Sequence, residues 1–158
     1  MKYLKYLWYI LKHKWYVFIE CAKEGLYWRG ITHDLSKFRI DEFIPYAEYF
    51  YGEGKNKEAF NAAWEKHFAR NPHHPEHWEE YKHENEMLIV HPMSEKSRLE
   101  MLCDWRAMSK TKGGTVLGYY KDRGKTKFLN METRKWLEEK IGYDGKLKVS
   151  IGERFEVK

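Results

Sequence analysis

An all-α fold is what this sequence predicts, and two observations carry the prediction. Apolar residues recur at three- and four-residue steps through most of the chain, and the breaks between those runs carry glycine, proline or capping residues. The length of 158 residues suits about one domain, and the 7 Trp and 12 Tyr supply enough ring area for a compact core. About six helices are expected over residues 1–142. A small β-hairpin is expected in the tail, 143–158, packed on the same domain.

The first helix is read from Leu4, Leu7, Trp8, Leu11, Trp15, Phe18, Ile19 and Ala22, which form one apolar stripe, with Gly25 as the stop. Tyr6, Ile10, His13 and Val17 lie on the opposite side, and Lys5, Lys12 and Lys23 share a narrow third strip. A helix apolar on two sides is expected to run through the middle of a bundle, with His13 facing protein. A short helix over 26–33 should end at His33-Asp34, and Ile40, Phe43, Ile44, Ala47 and Phe50 predict another over 40–51. The glycines of "YGEGKN" mark a loop. Phe60, Ala63, Trp64 and His67 share a face of a helix over 57–70, and "NPHHPEHW" is a turn into a short helix. Ser94 caps a helix over 95–110 that contains Asp104. "KTKGGTVLGYYKDRGKTKF" reads as mostly loop, and Asn130 and Gly142 bound a last helix over 131–141. Leu147, Val149, Ile151, Phe155 and Val157 alternate and suggest the terminal hairpin.

Composition narrows the function classes. The 4 Pro and 11 Gly are too few for a low-complexity chain. Two cysteines, Cys21 and Cys103, make no disulfide framework, so a reducing cytoplasm is expected. Lys5, Lys12, His13, Lys14 and Glu20 interrupt the apolar run of 3–22, and no membrane partner is expected. The net charge of +5 favours an anionic partner.

The stretch "GLYWRGITHDLSKF" places His33 and Asp34 side by side at a helix end, with Lys37 three residues on. Such a pair is a capping turn or a metal site. Further candidate ligands follow the chain: His13, then His67, then His73 and His74 with His77, then Asp104. Alternatives stand beside each. His13 could bond a tyrosine such as Tyr6 or Tyr9, and His67 could pack beside Trp64. Glu100 precedes Asp104 by four residues, so both could belong to a solvated acidic face. Against that, Asp104 sits among Met101, Leu102, Cys103, Trp105, Ala107 and Met108, where an unpaired carboxylate is costly. His73 and His77 could instead form a separate structural zinc site, though such sites want four ligands, usually thiolates.

This order of residues, with "HDLSK" at its centre, resembles the HD-domain superfamily of metal-dependent phosphohydrolases. More narrowly, "RGITHDLSKF", "AWEKHFARNPHH" and "MLCDW" look like a small, largely uncharacterised family from phages and bacteria. Ser36 departs from the glycine common before the lysine. The superfamily resemblance covers roughly residues 10–110 and implies an HD-like helical bundle. It also implies one ion held by His13, His33, Asp34 and Asp104, and a second ion or acid/base work at His67, His73 and His74. His67 and His74, with Lys37, are the implied catalytic residues. Lys37, Arg29 and Arg106 would bind substrate phosphate, with Lys112, Lys121, Arg123 and Lys125 as further anion contacts.

The expected function is metal-dependent hydrolysis of a nucleotide or small phosphoester, with one or two divalent ions per chain. Imidazole and carboxylate ligands suit Mn, Fe, Co, Ni, Zn and Mg alike and leave the metal open. Two alternatives stand: a non-enzymatic helical protein binding nucleic acid or a protein partner, and a diiron oxygenase on the same fold. Self-association as a homo-oligomer stays open.

Overall fold

The computed structural model describes residues 1–84, 86–122 and 128–143. Seven α-helices lie among them: α1 (Lys2–Lys23), α2 (Tyr27–Thr32), α3 (Ile40–Tyr51), α4 (Lys57–Arg70), α5 (Glu95–Lys112), α6 (Val116–Asp122) and α7 (Met131–Ile141). Short 3-10 turns cover Leu35–Phe38 and Pro75–Trp78. The expected all-α architecture with a minor β element is what forms. Asn56, Ser94 and Asn130 cap α4, α5 and α7 with side-chain oxygens, as small polar residues at that position do. Gly142 ends α7 in the left-handed conformation.

Three details differ from the sequence reading. The hairpin within the described residues is β1 (Glu79–Lys82) paired antiparallel with β2 (Met87–Val90), and Glu79 lies opposite Val90. The tail assigned to a hairpin, 144–158, falls outside the described residues. The glycine-containing stretch read as loop carries α6, because Tyr120 fits between α5 and α7 and its burial outweighs the weak local propensity. Arg123 and Lys125 fall outside the described residues.

The third difference concerns α1. Its buried residues are Tyr6, Ile10, His13, Val17, Glu20 and Cys21. The Leu4–Trp8–Leu11–Trp15 stripe faces outward instead. α1 therefore lies at the edge of the bundle and not through its middle, with α2, α3 and α5 all packed on one side of it. Both faces are apolar enough to be buried, and among the described residues only one has a covering.

Three apolar clusters frame the interior. Tyr6, Ile10, Tyr46, Ala47 and Ala63 join α1, α3 and α4. Val17, Cys21, Cys103 and Ala107 join α1 to α5. Met93, Met101, Leu102, Trp105, Tyr120, Leu129 and Leu137 join α5 to α6 and α7. His13 sits on α1 between the first two clusters, one turn beyond Ile10 and one before Val17, so the gap between them is lined by polar groups.

Candidate metal centre

Four segments bring the polar groups together. α2 approaches α1 closely because residue 30 is glycine: a Cβ there would lie 2.9 Å from the Cys21 Cβ and 3.1 Å from the Phe18 Cα. That approach delivers His33, just past the end of α2, into the interior. Lys14 donates to the carbonyls of Ile31 and His33, satisfying groups that the helix end leaves open. Asp34 follows with φ 54°, the left-handed conformation that aspartate tolerates better than most residues. The reversal turns its carboxylate inward beside His33, and both side chains are buried. Asp34 is one of two non-glycine residues with positive φ among the described residues.

The Asp34 carboxylate has a different set of neighbours on each oxygen. Oδ2 lies 3.8 Å from His13 Nε2, 3.4 Å from His33 Nε2 and 2.6 Å from Lys37 Nζ. Oδ1 lies 3.3 Å from His67 Nε2 and 3.4 Å from His73 Nε2. On the first side, Asp104 Oδ1 is 3.1 Å from His13 Nε2 and 3.9 Å from His33 Nε2. On the second, His67 Nε2 and His74 Nε2 are 3.0 Å apart. Within the group His13, His33 and Asp104, and within the group Asp34, His67, His73 and His74, the ligand atoms lie within 4.8 Å of one another.

These residues fit a cation. His33 Nε2, His73 Nε2, Asp34 Oδ1 and Asp104 Oδ1 are buried atoms without a hydrogen-bond partner among the described residues. Buried polar atoms are nearly always satisfied, so four orphans aimed into one small volume mark a place for something that accepts lone pairs. Imidazole nitrogen with carboxylate oxygen is the donor set of first-row divalent ions.

A second layer fixes the imidazoles. Glu100 Oε1 accepts from His33 Nδ1 at 2.9 Å and lies 3.4 Å from His73 Nδ1, while Arg29 holds Glu100 Oε2 at 2.7 Å. Glu42 Oε2 accepts from His67 Nδ1 at 2.9 Å and from the Ser36 hydroxyl at 2.8 Å, and Arg70 donates to Oε1 at 2.6 Å. Asn71 ties this corner together, donating to Ser36 Oγ and to the His67 carbonyl, each at 2.7 Å. With Nδ1 engaged by a carboxylate, Nε2 of each ring presents its lone pair to the interior, the arrangement that orients metal-binding histidines.

The electrostatics favour ionised carboxylates. Burial opposes charge on Asp34, but His33, Lys37 and His67 outweigh it and hold the carboxyl well below its ordinary range. Asp104 is likewise lowered to about 2: burial resists, and the adjacent His13 ring, with His33 and His73, prevails. Glu100 is lowered in the same way, against burial, by His33 and His73. Burial lowers His74 far below its usual value, and His73 and His67 add to the effect, so its ring is neutral.

Most candidates from the sequence converge here: His13, His33, Asp34, Lys37, His67, His73, His74 and Asp104. His13 also stacks on Tyr9 and His67 lies beside Trp64, so each has the aromatic neighbour considered for a structural histidine as well as a place in the cluster. The two arginines have other partners. Arg29 supports Glu100 from behind, and Arg106 pairs with Glu24 at the end of α1. His77 bonds the Phe68 carbonyl while His73 turns to Asp34, so the two histidines of a separate zinc site do not meet. Glu100 is buried, which removes the solvated acidic face, and Glu42 is buried with it. Sequence reasoning passed over both as supports. The available signal for Glu100 was its position one helical turn before Asp104, on the same face.

A family model, the family of unknown function DUF5662, matches residues 2–143, and the chain belongs to that family. The matched span contains the whole cluster. No curated protein and no solved structure gives a significant match to the chain.

Proposed function

We propose that this member of the DUF5662 family is a metal-dependent phosphohydrolase acting on a nucleotide or small phosphoester. The observation that carries the proposal is the divided carboxylate of Asp34, with one histidine group on each oxygen and the Lys37 ammonium on Oδ2. His13, His33, Asp34 and Asp104 would hold one divalent ion, and Asp34 with His67, His73 and His74 a second. Such ions lower the pKa of a bound water and offset the charge that builds on a phosphoryl group in its transition state.

The chain's own residues do the rest. Glu100 and Glu42 hold the rings of His33 and His67 in fixed orientation, so little reorganisation is needed on binding. Lys37 keeps a cation at the edge of the cluster: its side chain is partly exposed, and Asp34 raises its pKa above the ordinary lysine value in spite of burial. A protonated ammonium there attracts a phosphate oxygen and orients it beside Asp34. His74, half-buried and held neutral by burial and the neighbouring rings, has its ring nitrogen available as a ligand for the second ion.

The test is Lys37→Ala, assayed against a panel of nucleotides and phosphoesters with added Mn, Co, Ni or Mg. Metal content should stay near the wild-type level while hydrolysis falls. The loss appears in kcat if the ammonium acts on charge developing in the transition state, and as a raised KM if it grips the ground state. Unaltered kinetics on a confirmed phosphate substrate removes Lys37 from the mechanism, and absence of turnover across the panel overturns the phosphohydrolase reading.

A further inference from the structure

The outer face of α1 has no counterpart in the described structure. Leu4, Trp8, Leu11 and Trp15 are 71%, 71%, 46% and 61% exposed, and Trp28 of the adjoining α2 is 74% exposed. Leu11, Trp15 and Phe18 with Gly30 and Ile31 line an open apolar groove between the two helices, so the stripe and α2 form one continuous surface. A single exposed leucine is ordinary, but a continuous patch of this size is an interaction site.

We infer that this face is where a second copy of the chain docks, α1 against α1 in antiparallel orientation about a two-fold axis near residue 13. Spacing supplies the first argument. Leu4, Trp8, Leu11, Trp15, Phe18 and Ala22 follow each other at alternating steps of four and three, the seam that receives another helix. Symmetry supplies the second. The midpoint of the stripe coincides with the midpoint of α1, so reversal maps the seam onto itself over the full helix. Leu4 then lies over Ala22 of the other copy, Trp8 over Phe18, and Leu11 over Trp15.

Area supplies the third argument. Three tryptophans, two leucines, Tyr27 and Ile31 at these exposures present on the order of 800 Å² of apolar surface, the share each partner brings to a standard interface. Their composition, rich in tryptophan at the centre, is that of an interface core. Charge does not oppose the pairing strongly. Lys14 is already bound to the carbonyls of Ile31 and His33, which leaves Lys12 near the axis as the like-charged contact. A helix lying in a lipid interface keeps a polar face toward water, whereas the other face of α1 is the protein interior.

The full chain, untagged, is examined by light scattering after size exclusion over a range of concentrations, beside Trp8→Glu and Leu11→Glu. Both substitutions fall on exposed side chains, and circular dichroism and metal content check that the fold persists. The wild type should show twice the 19.3 kDa chain mass, and each variant the mass of one chain. In a mixture of isotopically light and heavy protein, a short lysine-reactive cross-linker should join Lys12 to Lys12 of the other copy. A wild type that stays monomeric at its highest soluble concentration overturns the inference. So does a dimer that survives both substitutions, or a monomer that instead binds vesicles of anionic lipid through this face.

Discussion

This protein has two interiors of opposite character. Where α5 meets α6 and α7, the buried groups are Met101, Leu102, Trp105, Tyr120 and Leu137, apolar but for the Tyr120 hydroxyl, which donates to Glu138 and accepts from Arg134. Between α1, α2, α4 and α5 lie four buried imidazoles, the half-buried ring of His74 and the carboxylates that face them. Removing apolar area from water stabilises the first region directly. Desolvating charges costs stability in the second, and ion pairing returns only part of it. One helix serves both: Leu102 and Trp105 of α5 point into the apolar cluster, while Glu100 and Asp104 face the histidines. If the polar region holds the ion proposed for it, folding and ion binding rest on separable sets of side chains, and substitutions should divide accordingly.

The sharpest division comes from Asp34→Ala. Its carboxylate faces both histidine groups, so the variant should lose metal at both positions while helix content by circular dichroism stays near wild type. Full metal retention would reduce His33-Asp34 to a helix end. Leu137→Ala is the counterpart in the apolar region. It should cost about 2–4 kcal/mol in denaturant unfolding through the cavity it leaves, with the metal content of the folded protein unchanged. A smaller effect is expected for Glu100→Gln, which keeps the shape but weakens the support of His33 and His73. Metal affinity measured by titration should fall about 10–100-fold, the usual range for a residue behind the ligands. If Leu137→Ala strips the metal, or Glu100→Gln changes only unfolding, the two regions are not separable.

Much of this was legible in the sequence, for reasons that differ between fold and site. Helices with strong caps and periodic faces could be read, as Ser94, Asn130 and Gly142 show. α6 could not, because its stability lies in Tyr120 fitting a tertiary slot. The inner and outer faces of α1 could not be ranked either. Sequence periodicity reports that both are apolar, but which one meets the bundle depends on where α3 and α5 pack. The ligand candidates were legible because histidine and aspartate in apolar surroundings are conspicuous. Their supports were not, because Glu42 and Glu100 resemble ordinary helix-surface acids until the fold buries them. Arg29 shows the opposite error: its charge suggested a phosphate contact, and the fold places it behind Glu100.

The central claim is that the polar interior is built to hold a divalent ion, and it is tested most directly on protein purified without a histidine tag. Elemental analysis should find at least one equivalent of a transition metal per chain. Chelation should lower the melting temperature and re-addition of metal should restore it, because an ion bound only by the folded state stabilises that state. Freshly purified protein that contains no metal, and whose melting is indifferent to both chelator and added metal, would contradict the account.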